Sequence, residues 1–156
     1  MKLVKIKSTN NITFILFNVF LPLFLGGLVY LFFRSERLIM FEWLKSLGIK
    51  NGFDLLRENF VSINTYLPSW FIFSLPDALW VYSFTSAIIL IWNNERKVAV
   101  TLLSIPLILG PGVELLQLLN LFKGTFDVID LTLTICAFLL SIILNLKTNQ
   151  YENQVY

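Results

Sequence analysis

Glu114 is the only ionisable side chain in residues 98–122, a run otherwise apolar enough to cross a bilayer. A carboxylate at that depth is costly, so it is turned toward protein, water or a partner. Gln117 follows it by three residues, and Asp127 and Asp130 repeat the spacing a short loop later. Residues three apart lie on one face of a helix, so each pair can point inward together. Asp77, directly after Pro76, is a further acid at the edge of an apolar run. Carboxylates placed close together can divide acid and base roles when burial separates their proton affinities. Glu114, Asp127 and Asp130 are therefore the catalytic candidates, with Asp77, Gln117 and Lys123 as binding residues. An oxygen-rich site of this kind also suits a hard divalent cation such as Mg²⁺ or Ca²⁺, although the spacing demands none and no cofactor motif is present.

Each of these residues also has a structural reading. Asp77 can simply begin a helix, where the dipole favours its charge. Asp127 fits an N-cap, with Asp130 in the first turn that follows. Glu114 and Gln117 can bond across helices without touching a ligand.

The elements that position these residues are membrane helices. Mean hydropathy is +0.74 and 56% of the 156 residues are hydrophobic, more than a soluble domain of this size can keep inside. Four runs reach the roughly 20 residues that a bilayer requires: about 12–33, 70–92, 98–122 and 128–146. The expected architecture is an all-α membrane protein, one domain over 1–156, with four transmembrane helices and an amphipathic interfacial connector over 34–69. In that connector Met40, Trp43, Leu44 and Leu47 recur at helical spacing up to Gly48, and Phe53, Leu56 and Phe60 share a second face away from Asp54, Arg57 and Glu58. Such helices lie along the headgroup region. The first run follows Lys2, Lys5 and Lys7 but is long and lacks a small-x-small cleavage site, so it is a retained anchor. Pro22 and Gly26-Gly27 within it predict a packing notch. Gly110-Pro111-Gly112, with Pro106 before it, predicts a disturbed helix beside Glu114, with carbonyls between Ser104 and Leu107 left without helical partners.

Alternating helix direction puts Asp77, Glu114, Gln117, Asp127 and Asp130 at the same end of the bundle, the end that carries the connector. Lys2, Lys5, Lys7, Arg96, Lys97 and Lys147 fall on the other side, against Arg34, Arg37, Lys45, Lys50, Arg57 and Lys123 on the connector side. The first group is concentrated in short segments and the second is diluted by Glu36, Glu42, Asp54 and Glu58, which places both termini in the cytoplasm.

Composition also excludes whole classes of chemistry. The chain has no histidine and a single cysteine, Cys136, so His-dependent zinc chemistry, Ser-His-Asp catalysis and an internal disulfide are out. Cys136 reads as a small packing residue. The formal charge of +2 gives no case for nucleic acid. There is no Gly-x-Ser-x-Gly elbow, and Gly110-Pro111-Gly112 lacks the Lys and Ser/Thr of a phosphate loop.

Pro76-Asp77-Ala78-Leu79-Trp80, Glu114-Leu115-Leu116-Gln117 and Gly124-Thr125-Phe126-Asp127-Val128-Ile129-Asp130-Leu131 together resemble the spaced motifs of the VanZ-like family of small bacterial membrane proteins. The resemblance covers about half the chain, from Pro76 to Leu144. It implies a bacterial cytoplasmic membrane and a setting of glycopeptide-antibiotic resistance, with no established reaction. Two departures stand out. Lys123 or Thr125 occupies the loop where the family usually has Arg, and Thr134 and Ala137 stand where Asn and Gly follow the second aspartate. Lysine is a weaker bidentate partner than arginine.

Three functions are compatible with these residues. The first is an acidic extracytoplasmic pocket that binds, and potentially modifies, a lipid-linked or amphiphilic envelope molecule. The second is a non-catalytic accessory subunit whose acids meet a membrane protein partner. The third is a small ion or proton carrier. Membrane lipid is a partner in all three.

Overall fold

The computed structural model describes residues 9–34, 39–92 and 95–154. Lys2, Lys5, Lys7, Glu36 and Arg37 lie outside the described residues, as do the side chains of Met40 and Lys147. Among the described residues there are helices and turns but no strand. Four helices are long and apolar enough to cross a membrane: Ile12–Phe33, Ser69–Ile91, Arg96–Leu118 and Val128–Asn145. The protein is a multi-pass, all-α membrane protein.

The second span is the hub, with 44% of its most apolar stretch buried against 17% for each of the others. It packs most extensively on the fourth span and next on the first. Gly26 makes the first contact close: a methyl group there would fall 2.7 Å from the Trp80 ring, whereas one on Gly27 would meet nothing within 4 Å. The predicted notch is therefore Gly26 alone. A methyl group on Gly110 would likewise fall 2.7 Å from Val81, which brings the third span close to the second.

Polar side chains reinforce this packing where the sequence offered no motif. In the first span, residues Leu16–Phe20 form a π-turn ahead of Pro22. Ser83 Oγ donates to Val19 O at 2.8 Å, and Tyr82 Oη donates to Asn18 Oδ1 at 2.5 Å. Between the second and fourth spans, Ser86 Oγ and Ser141 Oγ share a hydrogen bond of 2.9 Å, and Asn145 Nδ2 donates to Ser86 Oγ at 3.3 Å and, within its own helix, to Ser141 O at 2.6 Å. All three residues are fully or almost fully buried. Hydrocarbon offers no competing partners for such groups, so they hold helices in register.

The third span differs from expectation at both its middle and its end. Gly110-Pro111-Gly112 sits in a π-turn, Ile108–Gly112, and the Ser104 carbonyl keeps a helical partner in the Ile108 N–H. The prolines thus widen one turn instead of unwinding the helix. The helix stops at Leu118, four residues short of the predicted 122. Asn120 adopts φ 57°, with Asn120 N–H donating to Gln117 O at 3.0 Å and Leu121 N–H to Leu116 O at 2.9 Å. These are the two bonds of a Schellman cap, a role that Asn fills less often than Gly. The fourth helix runs on past 146, to Gln154.

The connector forms the two expected helices, Ile39–Ser46 and Lys50–Asn64. Trp43 and Leu47 are exposed and available to the bilayer interface, while Phe41 is buried. The inner stripe of the second helix departs from the predicted Phe53, Leu56 and Phe60. Phe53 and Phe60 pack on Phe32, with ring centroids 5.7 and 4.6 Å away. Leu56 is exposed and Arg57 turns inward in its place. Its guanidinium lies 5.0 Å from the Phe41 ring and donates to Arg34 O at the C-terminus of the first span. A helix end has carbonyls without intrahelical donors, and an arginine supplies both a hydrogen bond and the favoured charge.

Candidate functional site

The four spans do bring their polar ends together beside the connector. Asp77 sits in the first turn of the helix Leu75–Ile91, behind Pro76, as a simple helix start would have it. It also has specific partners. Tyr30 Oη donates to Asp77 Oδ1 at 2.6 Å, and Arg34 Nη2 lies 3.8 Å from Asp77 Oδ2. Arg34 in turn donates to Phe73 O at 3.0 Å and stacks over the Tyr30 and Phe73 rings, at 4.7 and 4.8 Å. Trp80 also stacks on Tyr30, with centroids 5.1 Å apart. A planar guanidinium held between rings is a better fixed charge than a lysine could provide.

Glu114 lies near the end of the third span, in Val113–Leu118. Its Oε2 accepts the Asp127 backbone N–H at 3.1 Å. In the amide orientation that satisfies both of its ends, Gln117 Nε2 donates to Thr125 O at 3.1 Å and to Glu114 Oε2 at 3.3 Å. The pair thus ties the end of the third span to the loop and to the start of the fourth. Gly124 makes the approach feasible: its φ is +145°, and a methyl group there would fall 2.8 Å from Gln117 Cδ. Asp127 Oδ1 accepts the Ile129 N–H at 2.7 Å, so Asp127 is the N-cap of the fourth helix.

Asp130 lies in the first turn of the fourth helix, within electrostatic range of Asp77, Tyr30 and Glu114. Asp130 Oδ1 is enclosed and has no hydrogen-bond partner among the described residues. Thr134, at one of the departures from the VanZ-like pattern, is buried and donates to Asp130 O at 2.7 Å. Lys123 is exposed, and among the described residues no ion pair joins it to the acids.

The cation of the recess is therefore Arg34, from the first span, which the charge pattern had assigned only to topology. Alternating helix direction could have found it, because a residue at the end of the first span must lie beside the start of the second. Tyr30 had no such signal, since a tyrosine near a span end is ordinary interfacial furniture.

Below the recess an apolar cleft of about 410 Å³ opens between the first, second and third spans, with Asp77, Ser83 and Trp80 contributing polar side-chain groups to its lining. Val19, Leu23, Phe84 and Leu109 are among its walls. No three acidic or thiol side chains among the described residues are placed to hold a metal ion. The arrangement offers one carboxylate, Asp77, at one end of an apolar slot, which is suited to a ligand with a polar head and a hydrocarbon body.

No family model, curated protein or solved structure matches the chain.

Proposed function

We propose that this protein binds a lipid-linked or amphiphilic molecule of the bacterial cell envelope in the acidic recess formed by Asp77, Glu114 and Asp130. The observation that carries this reading is that Asp77 belongs to both the recess and the cleft, so one ligand can present its head to the acids and its chain to the apolar walls. The VanZ-like spacing of the acidic motifs and the density of positive charge near the termini support a position in the cytoplasmic membrane, with the termini inside and the recess on the extracytoplasmic face. Glu114 is the central ligand or acid/base, Gln117 orients it, and Asp127 acts through its backbone N–H and its cap. Arg34 takes the place that the resemblance gives to a loop arginine.

Native mass spectrometry of the detergent-extracted protein tests this. The wild type should carry a co-purifying amphiphile that Glu114→Gln loses while remaining folded and monodisperse. Wild type that carries no small molecule but holds a second polypeptide, lost in Glu114→Gln, would favour the accessory-subunit reading instead.

A further inference from the structure

We infer that the ligand is an aminophospholipid, with one acyl chain in the cleft and its primary ammonium among the carboxylates. This rests on the recess being a binding site and names the chemistry that it selects.

Length is the first argument. The cleft follows the second span from Asp77 to Ala87, ten residues. At about 1.5 Å per residue this is roughly 15 Å, about half of a 30 Å hydrocarbon core. An acyl chain of one leaflet has that reach. The volume, about 410 Å³, lies near the lower end of the usual range for small-ligand pockets, roughly 300–1,000 Å³. That suits one chain rather than two, and the second chain of a phospholipid can remain in the surrounding bilayer.

Charge is the second. Asp77 is matched by Arg34, whereas Glu114 and Asp130 have no cation paired to them among the described residues. Glu114 Oε2 accepts one backbone N–H, and Asp130 Oδ1 is enclosed without a donor among the described residues. Beyond the Arg34–Asp77 pair, the Glu114 and Asp130 side of the recess therefore has, among the described residues, neither a paired cation nor a donor to Asp130 Oδ1. A primary ammonium supplies one charge and three donors, whereas a quaternary ammonium supplies the charge alone and a glycerol headgroup adds only weak neutral donors. Arg34, on the rim with a side chain 23% exposed, remains near the lipid phosphate.

The test uses the full chain in nanodiscs containing equal parts phosphatidylethanolamine, phosphatidylcholine and phosphatidylglycerol, released into the gas phase and read by native mass spectrometry. Phosphatidylethanolamine should be retained over each of the others by about tenfold, or 1.4 kcal/mol. Ala87→Phe, at the far end of the cleft, should remove retained lipid of every kind, and Asp130→Asn should lower the retention of phosphatidylethanolamine to that of the other two lipids. Equal retention of the three lipids by the wild type, or undiminished retention in a folded Ala87→Phe protein, overturns the inference. The wild-type comparison decides even where a variant does not fold. If an envelope amphiphile still co-purifies while the three lipids are held equally, only the headgroup assignment fails; if nothing is retained at all, the binding role of the recess fails with it.

Discussion

The Tyr30 hydroxyl donates to Asp77 Oδ1 at 2.6 Å across the first and second spans. This bond fixes an acid at one end of the apolar cleft and holds it beside Arg34, so Asp77 is neutralised while no ion pair joins Glu114 or Asp130 to a cation among the described residues. Hydrogen bonds to charged groups contribute about 1.5–3 kcal/mol. The Asp77 side chain is 41% exposed, so the lower end of that range applies. Tyr30→Phe should therefore lower the midpoint of thermal unfolding in detergent, by an amount equivalent to about 1.5 kcal/mol. A Tyr30→Phe protein as stable as wild type would show that the bond does not hold the two spans.

Asp127 separates structural from chemical roles. Because it caps the fourth helix, Asp127→Ala should cost about 1 kcal/mol while Asp127→Asn, which keeps an acceptor, should cost little. Chemical denaturation monitored by circular dichroism distinguishes them. If Asp127→Asn matches wild type in stability and in ligand retention, its carboxylate charge has no chemical task.

The two neighbouring glycines of the first span give a paired prediction. Gly26→Ala must displace the Trp80 ring or shift the helix, whereas Gly27→Ala has open space. Thermal stability should fall for the first, by about 1–3 kcal/mol, and stay within about 0.5 kcal/mol for the second. Equal effects would contradict the close approach at Gly26.

The buried Ser86–Ser141–Asn145 set predicts a modest, shared contribution. Interhelical hydrogen bonds in membranes average about 0.6 kcal/mol, so Ser86→Ala and Ser141→Ala should each be mild. Their double-mutant cycle should show coupling, because the two hydroxyls bond each other at 2.9 Å. Strict additivity would place them apart.

Much of the fold was legible in the sequence because the bilayer imposes a length and a polarity that hydropathy reads directly. The four spans, the two connector helices and the convergence of Asp77, Glu114, Gln117, Asp127 and Asp130 all follow from run length and alternating direction. What escaped was decided by local partners. The third span ends at Leu118 because Asn120 takes the left-handed cap, which composition does not reveal. Arg57 turns inward to the orphan carbonyl of Arg34, overriding the amphipathic pattern that put Leu56 there. Arg34, rather than Lys123, supplies the recess with its cation, because a pairing between spans distant in sequence leaves no mark on spacing.

The proposed function requires acids from three spans to share a recess that opens onto an apolar slot and holds an amphiphile. A density map of the protein in lipid nanodiscs decides this. The Glu114 carboxylate should lie within hydrogen-bonding distance of the Asp127 N–H, with elongated density running from Asp77 toward Ala87. A Glu114 side chain directed into lipid, apart from Asp127 and Asp130, or a cleft closed by direct packing of the first and third spans, would contradict it.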